Sequence, residues 1–135
     1  MDVTTLVSPT IGWASGAIVS TPLEVGRFTR AYLRGSFFGA AQKRAQMRFV
    51  PGDSVPAGPG TNEAGLALFR YTTRCGRVYG HTGSFYGFAQ WTAASADGKR
   101  SVTTTLNIMP PPPGSPLLAR LRRVQTAAVC ALLRG

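Results

Sequence analysis

Between residues 64 and 108 the chain reads as strand four times in succession. "AGLALFRYTT", "GRVYGHTGS", "GFAQWTAAS" and "RSVTTTLNI" are short runs rich in β-branched and aromatic residues, set between turn-forming residues. The last two are joined by "ADGK", whose Asp97-Gly98 pair suits the positive φ of a tight hairpin. Strands joined by such short turns run antiparallel. "MPPPPGSP" then removes the backbone donors that further pairing would need, so the sheet must stop there. Any fold for this chain has to be built around that sheet.

Helical signals flank it. In "STPLEVGRFTRAYLRG", Thr21 is an N-cap, Pro22 occupies the first helical position and Glu24 completes a capping box. This predicts a helix over Pro22–Leu33, with Val25, Phe28 and Tyr32 on one face and Gly35 as the stop. A shorter helix fits Ala40–Arg48. At the other end Ser115 caps and Pro116 starts a final helix, with Leu117, Leu121, Val124, Ala128 and Leu132 as its apolar stripe. The expected class is α+β: an antiparallel sheet covered by the C-terminal helix, with helices before it. Residues 1–135 then form a single partial domain. Its parts are a helical segment (1–50), a Gly/Pro-rich loop (51–63), strands (64–109), and a Pro-rich linker with the last helix (110–135). The helices and the sheet do not obviously close two separate cores and look like parts of something larger.

The net charge is +10, from 15 basic and 5 acidic residues, which would attract polyanions. A small basic domain that binds a polyanion is therefore one functional reading. No nucleic-acid motif is present, however, and the aromatics do not interleave with the arginines as a single-strand platform requires, so no nucleic-acid partner is expected. One histidine, and two cysteines without C-x-x-C spacing, make a zinc site unlike the usual ones; neither metal nor cofactor is expected. Cys75 and Cys130 read first as two buried free thiols, with a single long-range disulfide, which would imply an oxidising compartment, as the alternative. No apolar run reaches the length of a transmembrane helix, and the N-terminus lacks the basic and apolar regions of a signal peptide.

The one histidine stands in "RVYGHTGSFYGFAQW". A basic or imidazole group, then a hydroxyl, then glycine on a strand has a mechanical logic. The glycine lets a substrate backbone lie against the strand, the hydroxyl can bond a carboxylate, and the first residue holds positive potential or relays a proton. A main-chain N–H just beyond can help stabilise an oxyanion. The equivalent K-T-G device occurs in serine β-lactamases and penicillin-binding proteins. A strand histidine satisfied by its neighbours is the competing reading of the triplet alone.

The surroundings add to it. "GWASGAIVSTPLEVGRF", "GLALF…CGRVYGHTGSFYGF" and "ASADGKRSVTTTLN" occur in the order and spacing of one family. From about Gly12 to Cys130 the chain resembles the C-terminal half of serine-type D-alanyl-D-alanine carboxypeptidases, relatives of the class C β-lactamases within the penicillin-binding serine hydrolases. The resemblance implies an incomplete β-lactamase/DD-peptidase fold. It gives His81 the electrostatic or proton-relay role, Thr82 the bond to the carboxylate end of a peptide or β-lactam, and Gly83 the flat place where substrate pairs. Ser84 would lend its backbone N–H to the oxyanion hole, and Phe85 and Tyr86 would line the mouth or simply pack. A basic residue of the preceding strand usually meets the substrate carboxylate; Arg70 is the nearest candidate, although alignment back from Cys75 puts Phe69 there. The resemblance also implies a Cys75–Cys130 disulfide, closing a loop of roughly 55 residues worth about 4 kcal/mol, although Cys130 falls off the apolar stripe of its helix.

The family's nucleophile, a Ser three residues before a Lys, and its Tyr or Ser two before an Asn are not in this sequence. Lys43 and Lys99 follow Ala40 and Ala96; Asn62 and Asn107 follow Gly60 and Thr105. The expectation is a chain inactive by itself, whose partner is the N-terminal half of the same fold, with a peptidoglycan stem peptide or β-lactam as ligand of the complete enzyme. A non-catalytic peptide-binding remnant is the other alternative. The family is exported to the cell wall, whereas a chain expressed from Met1 without a leader is expected in the cytoplasm.

Overall fold

The computed structural model describes residues 6–135. After a short 3-10 turn at Pro9–Gly12 come α1 (Trp13–Gly16), α2 (Pro22–Arg34) and α3 (Ala40–Gln46). Six strands follow, β1 (Val50–Pro51), β2 (Thr61–Ala64), β3 (Phe69–Thr73), β4 (Gly76–Phe85), β5 (Phe88–Ala94) and β6 (Ser101–Leu106), and then α4 (Pro116–Arg134). Every strand pairs antiparallel with its sequence neighbour, giving one six-stranded meander in the order β1 to β6. Helices cover both faces, so the architecture is α+β with three layers.

Local chemistry explains the elements that the sequence makes plain. The Thr21 hydroxyl accepts from the Glu24 N–H, and the Glu24 carboxylate accepts from the Thr21 N–H at 2.9 Å, a reciprocal capping box. Gly35 ends α2 at φ +81°, a left-handed position that suits glycine. In the β5–β6 turn, Gly98 sits at φ +65° and the Asp97 carboxylate accepts from the Ser95 hydroxyl and the Lys99 N–H. Ser115 caps α4 through the Leu118 N–H.

On one face Tyr71, Val78, Trp91 and Ala93 pack with Val129 of α4. On the other, Leu33 of α2 meets Leu68, Tyr79 and Ala94, flanked by Tyr32, Met47 and Phe49. Helix α2 comes close to β6 through Gly26, where an added Cβ would lie 3.0 Å from the Ser101 hydroxyl. Arg30 donates to that hydroxyl and Arg34 to the Gly98 carbonyl, which fixes the helix along the hairpin.

Three expectations need correction. The loop expected over 51–63 is shorter, because Val50 pairs with Ala64 and Pro51 with Glu63. The Asn62 side chain, buried, accepts from the Ser54 hydroxyl and the Gly58 N–H, folding the Gly/Pro segment onto itself and returning the chain to the sheet edge. Next, "AGLALFRYTT" is not one strand. The Gly65 N–H donates to the Leu68 carbonyl, closing a β2–β3 turn, so that β3 begins only at Phe69. Finally, the buried face of α4 is Leu118, Gln125, Val129 and Cys130; Leu117 and Val124 of the expected stripe are exposed. The Cys75–Cys130 disulfide ties α4 to the β3–β4 turn and sets that rotation.

Candidate active-site wall

Strand β4 carries the His81-Thr82-Gly83 triplet, and its neighbours end at different points. β3 pairs with it only as far as Phe69↔Gly80, whereas β5 continues through Phe85↔Phe88. From His81 onward β4 is therefore paired on one side only, leaving backbone groups of the other edge without a strand partner. Two glycines mark the boundary. A Cβ on Gly80 would lie 1.8 Å from the Thr92 carbonyl oxygen, so glycine is required there by packing. A Cβ on Gly83 would meet nothing within 4 Å, so packing does not require glycine there.

Gly83 opens on a cleft of about 490 Å³ between β4 and α2. His81, Gln90 and Thr92 line its sheet side, and Val25, Phe28 and Tyr32 its helix side. The face of α2 legible in the sequence is thus the wall of the cleft; the face against the sheet is Gly26, Thr29 and Leu33. Phe28 and Tyr32 continue into an aromatic cluster with Phe37 and Phe38, with ring centroids 5.1 to 6.4 Å apart, and Phe28 and Phe37 remain more than half exposed.

The site residues do not all face the same way. His81 is exposed at the cleft; its Nδ1 lies against the Thr82 carbonyl and its ring meets Phe69 edge-on at 5.2 Å. Thr82 also lines the cleft but is buried, and its hydroxyl donates to the Val55 carbonyl at 3.3 Å. Ser84 is exposed and pairs with Ala89. Phe85 and Tyr86 form the exposed tip of the β4–β5 hairpin, their rings at 5.4 Å. Arg70 does not reach the cleft. It binds both carboxylate oxygens of Glu63, with Nε at 2.6 Å, and its guanidinium lies 4.8 Å from the centre of the Phe49 ring. Phe69, the position that alignment picks, is the one beside His81.

Residues that the sequence reading missed also line the cleft. Ser15 reaches it from α1, its hydroxyl donating to the Gly12 carbonyl at 2.8 Å; Gln90 and Thr92 do so from β5. A β5 strand beside the triplet points alternate residues into the cleft, which is the signal that could have found Gln90 and Thr92. No lysine, arginine or carboxylate lines it among the described residues.

The carboxylates that do carry structure are held below their ordinary range. The Thr21 N–H does this for Glu24, the Arg70 side chain for Glu63 and the Ser95 hydroxyl for Asp97. The unfolded chain binds protons first as pH falls past roughly 5, so these groups stabilise the fold above the ordinary carboxylate range and lose that contribution on acidification. The melting temperature is expected to hold from about pH 7 to 5 and to fall from about pH 5 to 3. A thermal-shift series checks this, and a rising melting temperature in acid contradicts it.

Comparison with known proteins agrees with this architecture. The family profile described as Beta-lactamase matches residues 2–127. A solved structure of a D-stereospecific amidohydrolase from Streptomyces sp. superposes with a TM-score of 0.65 over 75% of this chain, at 24% sequence identity. The match covers 29% of that protein's chain, so the sequence here spans under a third of that relative. A one-sided β4 edge carrying His-Thr-Gly, a cleft beside it and a matching profile over most of the length together place the chain in the beta-lactamase family.

Proposed function

We propose that this chain supplies the substrate-side wall of a serine hydrolase site that acts on D-configured amides or peptides. The observation that supports this most is the pairing of β4, one-sided from His81 onward, with a glycine at position 83 that no packing demands. A substrate backbone laid along that edge meets no side chain at Gly83. His81 provides positive potential or a proton at the cleft. Ser84 offers its N–H to the oxyanion of an acyl intermediate, where a fixed donor matters most. Thr82 reaches the substrate's terminal carboxylate or carboxamide by giving up its bond to Val55, which at 3.3 Å is a weak one.

Among the described residues His81 is the one basic side chain that lines the cleft; Arg70 stands outside it, held by Glu63. That favours an amide or ester end over the free carboxylate of a D-Ala-D-Ala peptide as substrate; the strained ring of a β-lactam still makes it an acylating probe of such a site. The name of the Streptomyces relative, a D-stereospecific amidohydrolase, points the same way. Covalent catalysis further needs a nucleophilic serine with its base. This sequence holds no Ser-x-x-Lys and no Tyr-x-Asn, so polypeptide outside these 135 residues would bring them. The exposed aromatic cluster of Phe28 and Phe37 is the surface such a polypeptide would cover.

The wall can be tested without the nucleophile. Titration of the ¹⁵N-labelled chain with N-acetyl-D-Ala-D-Ala amide should shift amide resonances of residues 81–85, and the free acid should shift them less. In Gly83→Val the shifts should vanish while the rest of the spectrum stays folded. Shifts spread over the basic surface, or none at the highest soluble ligand concentration, would defeat this reading.

A further inference from the structure

Behind the triplet, on the α4 side of the sheet, lies a second and very different space. It is a void of about 10 Å³ whose lining includes Thr82, Trp91, Thr104 and Gln125. Trp91 and Gln125 are 1% and 3% exposed; the Gln125 side-chain oxygen has no hydrogen-bond partner in the protein, and the Trp91 indole N–H has beside it only the buried Tyr71 hydroxyl, without the geometry of a hydrogen bond. Buried polar groups are almost always satisfied, and a void of this size admits one water molecule when it offers two or more polar partners.

We propose that this void is a binding site for a single structural water, held by Trp91 and Gln125 at the back of the candidate active-site wall. The orientation of Gln125 fits. Its Nε2 donates to the Thr104 hydroxyl at 3.5 Å, on the same lining, and its Oε1 is left free to accept. The water then accepts from the Trp91 N–H and donates to Gln125 Oε1. Thr82 is the β4 residue of the same lining. Through this molecule α4 supports the strand that carries the triplet, and Gln125 is a positioning residue for Thr82. The site stands on its own geometry and does not depend on the activity proposed above.

The two tryptophans provide the test. In the ¹⁵N-labelled full chain, the Trp91 indole N–H should show a cross-peak to a long-lived water, whereas the Trp13 indole, 82% exposed, should show only fast exchange with bulk water. Gln125→Met, similar in length but without the acceptor, should abolish the Trp91 cross-peak and shift the Thr82 amide and the Trp91 indole together. A crystal structure of the unaltered chain at high resolution tests the same site should that variant fail to fold. It should show a water bonded to both side chains. Lack of the cross-peak in the unaltered chain, or direct bonding of Trp91 and Gln125 to protein atoms, would overturn the proposal.

Discussion

Gly80→Ala should unfold or nearly unfold the chain, while Gly83→Ala, three residues along the same strand, should leave its stability almost unchanged. At Gly80 an added methyl would lie 1.8 Å from the Thr92 carbonyl oxygen and 2.7 Å from the Ala93 Cα. Both are backbone atoms of the paired strand, so relief requires β5 to move away from β4 in the middle of the sheet. Breaking central strand pairing belongs with the most damaging single substitutions, at about 4 kcal/mol or more, out of a total stability of roughly 5–15 kcal/mol. At Gly83 the methyl enters open space, and the expected change is within about 0.5 kcal/mol. Urea unfolding followed by circular dichroism measures both. Equal midpoints for the two variants would show that the strand accommodates a side chain at Gly80, against the close β4–β5 approach described here.

The second large effect is loss of the disulfide. Cys75 and Cys130 are 55 residues apart, and the bond joins the β3–β4 turn to the last turns of α4. Restricting the unfolded chain with a loop of this length stabilises the fold by about 4 kcal/mol in the chain-entropy account. At its C-terminal end α4 also packs Val129, with half-buried Leu132 and Leu133, against the sheet, so the bond adds to that packing rather than replacing it. The double variant Cys75→Ala/Cys130→Ala should melt roughly 10–15 °C lower. A melting temperature that stays put, in the variant or in dithiothreitol, would mean that packing alone retains α4.

What was legible in the sequence was local. The capping box of α2, the Asp97-Gly98 turn and the Ser115-Pro116 start of α4 are each decided within four residues, and each is present as read. The phase of α4 is not decided locally. Leu117 and Val124 look as apolar as Leu118 and Val129, and it is the distant Cys75 and the floor of Val78 and Trp91 that select between them. The loop over 51–63 was overextended for a similar reason: Asn62 makes its bonds across a turn of eight residues, a closure that composition does not reveal. At the site, the triplet could be found because His-Thr-Gly has a chemical logic. That His81 looks into the cleft while the Thr82 hydroxyl bonds Val55 follows from strand alternation and from a loop whose position the sequence leaves open. Arg70 is instructive too. The strand was right, but a carboxylate opposite it in the β2–β3 register, Glu63, takes the guanidinium away from the cleft.

The central claim is that these residues form a wall for substrate and hold no nucleophile of their own. Intact-mass spectrometry of the chain after incubation with a penicillin tests it most directly. The account predicts an unchanged mass for the chain alone, and an acyl adduct only when a polypeptide bearing the Ser-x-x-Lys and Tyr-x-Asn segments is co-expressed with it. Stoichiometric acylation of the 135-residue chain by itself would contradict the account.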